Sequence, residues 1–351
     1  MSAATRRPTV APVDALPLVP VDGVRITTLV DNCSDMLLPD VGLVRRWGLA
    51  GTGGAPPVVP AQFASGGTAW DLLRAEHGFS ALVEIHHDGA ARRILFDAGA
   101  SRDCLVDNLD RLGLPCDGFE AVVISHGHVD HVMGLEGLAR RIGRRHLLVV
   151  LHPEAWTRRR LVSPSGSLEL STLSRQTVEG AGFAVVEGRR PSFLLDDRLL
   201  VTGEVERVTD FETGMPPVHE AWRDGAWQPD RLVHDDQAVV LNVRDRGLVI
   251  LTGCGHAGIV NIIRQSTRTT GISRLHAICG GLHLRSGPVV ERMIAELVAV
   301  APAAVVAGHC TSWEAQRALA SALPAAFLPN AVGSTFVFTG LPEVQPEGSR
   351  A

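Results

Sequence analysis

The 351-residue chain contains no lysine and no tyrosine, so arginine supplies all 33 of its Lys/Arg cations. Those two absences remove Schiff-base chemistry, a lysine-anchored pyridoxal cofactor, the Walker-type phosphate loop and tyrosine acid catalysis. What remains is His, Asp, Glu, Cys, Ser, Arg or a bound metal. CxxC pairs are also missing. Cys33, Cys104, Cys116, Cys254, Cys279 and Cys310 are scattered, which in a chain of this length does not describe a disulfide framework, and reduced thiols are expected. The net charge of −5 comes without any block of like charge, so no basic footprint marks a nucleic-acid or anionic-membrane partner. No stretch approaches the roughly 18 apolar residues of a spanning helix, and the first twenty residues lack the continuous apolar segment of a secretory signal. The expectation is a cytoplasmic protein with a small-molecule partner and neither nucleic acid nor membrane. The oligomeric state is not legible.

Hydrophobic residues make up 45% of the chain, enough to bury a large core. Residues 1–20, rich in Pro, Ala and Thr, read as a mobile tail, and 343–351 as a second one. Between them a single domain over 21–342 is expected, with loop insertions near 40–70 and 203–232. "GVRITTLVDN" is a strand signal, while the Gly/Pro-rich run at 49–70 has no usable period and reads as a loop. "SALVEIHHDG" and "ARRILFDAG" form a hairpin across Asp88-Gly89. From there helical and strand patterns alternate, through "CLVDNLDRLGL", "FEAVVIS", "MGLEGLARRIG" and "RHLLVVLHP", which predicts α/β. Trp222 and Trp227, flanking "RDGA" in an irregular polar stretch, suggest a small hairpin over a cleft. Strands and helices then resume from "QAVVLNVRDRGLVILTGCGH" through "AAVVAGHCTS" to "WEAQRALASAL".

The densest chemistry is "SHGHVDH", Ser125 to His131, which takes three of the 14 histidines. It follows a buried strand and precedes a helix expected near Met133, so it occupies the strand-end loop where α/β folds hold ligands. His126 and His128, two apart in extended backbone, point the same way. Asp130 and His131 approach from a second angle. Imidazole and carboxylate suit zinc, and also iron or manganese, and burying them uncompensated would be costly. One or two divalent cations are therefore expected.

His126-x-His128-x-Asp130-His131 also resembles the HxHxDH signature of the metallo-β-lactamase superfamily. The resemblance implies an αββα sandwich with a mono- or dinuclear site between two sheets, over about residues 23–340, and with Asp97 of "LFDAG" supporting the ligands. "EHGFSALVE", "GEVERVTDFE", "DDQAVVL", "TGCGHAGIVN", "GGLHL" and "GHCTS" together are similar to the branch of dihydropterin-ribofuranosyl-aminobenzene phosphate synthase-like hydrolases.

His256 and His309 follow strong strand signals and join the candidate ligand set of His126, His128, Asp130 and His131. A hydrogen-bonded loop histidine is the alternative for both. Where the superfamily commonly has Gly-Asp, this chain has Gly253-Cys254, and Cys254 is either a thiolate ligand or a packed small residue. His283 of "CGGLHL" is expected to contact substrate or act as acid or base, and with Asp130 it forms the candidate catalytic pair. Asp235 and Asp236 fall where relatives carry a third-motif ligand, but a strand-capping turn explains them equally well. For His77 a structural role stands beside a functional one. No function is assigned to His86, His87, His146, His152, His219 or His276. The expected activity is metal-dependent hydrolysis of a small, anionic or pterin-like metabolite. An iron-dependent oxidoreductase and a non-catalytic metabolite-binding metalloprotein are the alternatives.

Overall fold

The computed structural model describes residues 15–340. Within them an eight-stranded mixed sheet runs in the spatial order Ala184–Glu187, Leu148–Leu151, Ala121–Val123, Ala90–Phe96, Ser80–His87, Gly23–Val30, Thr335–Thr339, Val44–Arg45. A six-stranded sheet runs Ser192–Leu194, Leu199–Val201, Ala238–Val243, Gly247–Thr252, Leu275–Gly281, Ala304–Gly308. The inner faces meet in one apolar layer: Val24, Ile26, Val83, Ile94, Phe96 and Val123 from the first sheet touch the cluster of Val239, Leu241, Val249, Leu251, Cys279 and Val306 from the second.

Strand alternation sends every other residue to the opposite face, and there the sheets are covered by helices. Leu82, Leu95, Val122 and Val149 pack with Leu105, Leu109, Leu135 and Leu138 of the helices Cys104–Arg111 and Leu135–Ile142. Val240, Ile250, Ile278 and Val305 pack against the helices Ile259–Thr270, Pro288–Val300 and Trp313–Ala322. The layers are helix, sheet, sheet, helix: the α/β class that the alternating pattern predicts, in the αββα sandwich that the resemblance implies.

Several expectations change in detail. Residues 15–20 are not a tail: Leu18 is buried, Leu16 N donates to Thr269 O at 2.8 Å and Val19 N to Asp197 O at 2.8 Å. Residues 1–14 and the proposed tail at 343–351 lie outside the described residues. The 49–70 run holds a short exposed strand pair, Val58–Pro60 with Thr68–Trp70. The hairpin around Trp222 and Trp227 is present, with the rings edge to face at 5.3 Å. It is half of a separate four-stranded sheet completed by Arg159–Ser163 and Gly166–Glu169, strands whose arginine- and serine-rich sequence hid them. No helix among the described residues is long and apolar enough to cross a membrane.

His276, on the strand Leu275–Gly281, is buried edge-on against Phe338, and burial together with Arg246 and Arg274 lowers its pKa to about 4. A folded-state value below the unfolded one means that this neutral ring stabilises the fold above pH 6.5, and that the contribution is lost as pH falls toward 4. With solvent screening of the two arginines allowed for, the loss is on the order of 1–2 kcal/mol. Denaturant titrations of wild type and His276→Gln should converge by that amount between pH 7 and pH 4. Parallel curves would sink the assignment.

Candidate metal centre

Four strands deliver the site. His126 follows Ala121–Val123, which lies parallel to its two neighbours, while His256, His283 and His309 follow Gly247–Thr252, Leu275–Gly281 and Ala304–Gly308, parallel to one another. The cleft therefore opens at strand carboxyl ends. The helical turn begins earlier than expected, at Val129–Val132 rather than near Met133, and it carries Asp130 and His131 back toward the sheet. Gly127 is needed here because a Cβ would overlap the Ala155 carbonyl. Asp97, His283 and His309 adopt positive φ of 56°, 44° and 48°, strain of the kind that functional sites retain.

Two donor groups adjoin. Asp130, His131, Cys254 and His309 form one, and His126, His128 and His256 the other, each with its candidate atoms within 4.8 Å of one another. The rings of His126 and His131 are 4.2 Å apart between centroids. In the first group His131 Nε2 lies 3.2 Å from Cys254 Sγ, 3.2 Å from His309 Nε2 and 3.6 Å from an Asp130 oxygen. All six sequence-predicted ligands are brought together, and Cys254 joins them. His283 stands at the edge, its ring 4.2 Å from that of His256, in a third grouping with Cys254 and His256.

Proton positions show what this arrangement requires. His131 Nδ1 lies 2.7 Å from Asp97 Oδ2, so Nδ1 carries a proton and Nε2 is the nitrogen left to face a cation. His309 Nδ1 faces Asn32 Oδ1 at 3.4 Å, while the amide nitrogen of Asn32 is used by the His309 carbonyl, so His309 Nε2 is left to face a cation as well. Ser125 Oγ donates to Asp97 Oδ2 at 2.7 Å and therefore accepts from His126 Nδ1 at 2.9 Å. In their neutral forms these rings turn lone pairs toward one another at the centre of the site. His256, buried, has neither ring nitrogen partnered, and the same holds for Asp236 Oδ1 and His283 Nδ1. Such a set is repulsive alone and satisfied by cations. The residues fit a metal.

Charge agrees with this. Burial and then neighbouring histidines hold His126, His128 and His256 well below the ordinary imidazole value. His131 is the exception while no cation is bound: burial opposes its charge, yet Asp130 and Asp97 outweigh burial and raise its pKa to about 9, so a cation would take the place of the proton on Nε2. Burial likewise works against the Asp130 carboxylate, and His131 and His309 keep it well below the usual range. Burial lifts Asp236 to about 6 and pushes the Cys254 thiol far up, so a Cys254 thiolate depends on a cation beside it.

Among residues left without a function, His219 is the surprise: it is buried, with Nε2 3.0 Å from His128 Nε2. Nothing local in "PPVHEAW" signals this. Asp235 takes neither a ligand nor a turn-capping place, since it accepts from Gly127 N at 2.8 Å and from Arg159 at 2.5 Å. Asp236 accepts from Ala257 N and lies 4.0 Å from His126 Nδ1. His77 is exposed, 3.8 Å from Asp130.

The family model of the metallo-β-lactamase superfamily matches residues 73–260, just over half of the chain. The chain belongs to the metallo-β-lactamase superfamily. Within this superfamily it is 27% identical over 251 residues, covering 69% of this chain and 83% of the other, to the 7,8-dihydropterin-6-methyl-4-(β-D-ribofuranosyl)-aminobenzene-5'-phosphate synthase of Methanocaldococcus jannaschii. An uncharacterized protein of the same organism is 31% identical over 222 residues, covering 62% of this chain and 76% of its own. Among solved structures, a metal-dependent hydrolase of the β-lactamase superfamily superposes with a TM-score of 0.65 at 23% identity, covering 89% of this chain and 98% of that one. The sandwich fold is thus that of the metallo-β-lactamase superfamily.

Proposed function

We propose that the chain is a metal-dependent hydrolase that binds two divalent cations side by side, zinc first with manganese or iron as alternatives, and acts on a small anionic or pterin-like metabolite. The observation that carries this is the convergence of two adjoining donor groups whose outer ring nitrogens are already committed, leaving the inward nitrogens to face cations. The pterin-like part rests on the name of the M. jannaschii relative.

His126, His128 and His256 would hold one cation, and Asp130, His131, His309 and Cys254 the other. Bound there, divalent cations supply Lewis acidity and lower the pKa of water to about 7. Asp97 and Asn32 orient His131 and His309. Asp130 directs the attacking water. His283, its Nδ1 buried without a partner beside His256, gives a proton to the leaving group.

The test is metal content in protein purified without chelator, with His126→Ala and His309→Ala alongside, and a screen of phosphoesters and lactones. About two cations per chain, falling in both variants, with turnover of an anionic substrate, supports the reading. A metal-free wild type would overturn it, iron with a visible band would favour the oxidoreductase, and full metal without turnover the binding protein. His283→Gln should keep both cations and lose roughly 10²–10⁴ in kcat. Loss of metal instead would make His283 a ligand.

A further inference from the structure

The four-stranded accessory sheet has no counterpart among the residues assigned so far, and its buried face meets the His126-Gly127-His128 loop at two points. Arg159 and His219 sit on its adjacent strands Arg159–Ser163 and His219–Arg223, which pair with Ala221 opposite Arg159 and His219 opposite Leu161. Arg159 bonds Asp235, which accepts the Gly127 N–H at 2.8 Å. His219 reaches His128 itself at 3.0 Å. Both side chains are buried, His219 at 1% exposure.

The proton inventory fixes how His219 acts. Its Nδ1 lies 3.1 Å from the Asp230 carbonyl oxygen, which can only accept, so Nδ1 is protonated and Nε2 is an acceptor. The opposing His128 Nε2 must then carry a proton and donate it. That leaves His128 Nδ1 as a lone pair, 3.0 Å from His126 Nε2, which is itself a lone pair because His126 Nδ1 donates to Ser125. We propose that His219 is a positioning residue: a relay from His128 Nε2–H through the His219 ring to the Asp230 carbonyl locks His128 in the tautomer that presents Nδ1 to the cation shared with His126 and His256. The accessory sheet thereby sets metal affinity at a site built on other strands. This rests on the metal-binding reading above.

Long-range ¹H–¹⁵N spectra of the full chain read the tautomer directly. Expected is His128 protonated on Nε2 and, in the zinc-loaded chain, a metal-shifted Nδ1. Chelator competition should show zinc binding weakened about 10–100-fold in His219→Phe, the usual cost of losing a residue that orients a ligand, and largely recovered in His219→Gln, whose amide oxygen can accept from His128. His128 protonated on Nδ1 in wild type, or unchanged zinc affinity in His219→Phe with its fold intact by thermal melt, would overturn the relay. Should His219→Phe fail to fold, the wild-type tautomer still decides. A chain that takes up no zinc sinks the hydrolase reading, while the His128 tautomer in that metal-free chain tests the relay separately.

Discussion

Replacing Arg159 with leucine should destabilise the metal-free chain by about 3–5 kcal/mol, the usual consequence of removing one partner from a buried ion pair. Arg159 is among the largest fully buried side chains of the protein, 2% exposed. Its Nε bonds Asp230 Oδ2 at 2.9 Å and its Nη2 bonds Asp235 Oδ1, both carboxylates fully buried. Burial alone would disfavour the guanidinium, and the two carboxylates outweigh it. Leucine removes the cation and leaves two buried anions, with Arg223 reaching only Asp230, at 2.9 Å. Asp235 is then the uncompensated group, held by the Gly127 N–H alone. Urea titration of Arg159→Leu measures the loss, and adding Asp235→Asn should return part of it by removing that charge. A change below about 1 kcal/mol would show that the accessory sheet is not held by this triad.

The triad also explains why this part of the molecule was hidden in the sequence while the rest was open. "SHGHVDH", the flanking strand and the glycine that permits the turn lie within a dozen residues, so periodicity and motif spacing report them. Asp97 and His309 stand at the ends of apolar strand runs, a position that marks a site in any α/β fold. Arg159 and His219 come together only because two polar strands some sixty residues apart in sequence pair in one register. A slip of either strand by one residue would turn its side chain to the opposite face and separate the two. Neither strand alternates apolar and polar residues, since its buried face carries an arginine and a histidine in place of aliphatics. The Asp235-Asp236 pair was ambiguous for the same reason: which acid bonds Gly127 and which faces His126 depends on contacts made across the fold.

Gly253→Ala should separate stability from metal binding. Gly253 follows the strand Gly247–Thr252 and packs directly on the support of His131. An added Cβ would overlap Ser125 Oγ and come within 2.6 Å of Asp97 Oδ2. These are the atoms through which Ser125 and His131 share one carboxylate, Ser125 Oγ and His131 Nδ1 each 2.7 Å from Asp97 Oδ2. Asp97 cannot readily retreat, because its backbone is already at φ 56° and its Oδ1 accepts from Ser125 N at 2.7 Å. Overpacking of this size costs about 1–3 kcal/mol, and displacing the partner that orients His131 should weaken zinc binding at least tenfold. Adding Ser125→Gly removes the hydroxyl that the methyl strikes and should restore much of the stability. It cannot restore the lost acceptor of His126 Nδ1 or the crowding at Asp97, so zinc affinity should stay low. If thermal melts and chelator competition recover together in the double variant, Gly253 matters only for packing and the carboxylate relay beneath His131 is not what sets the affinity of the site.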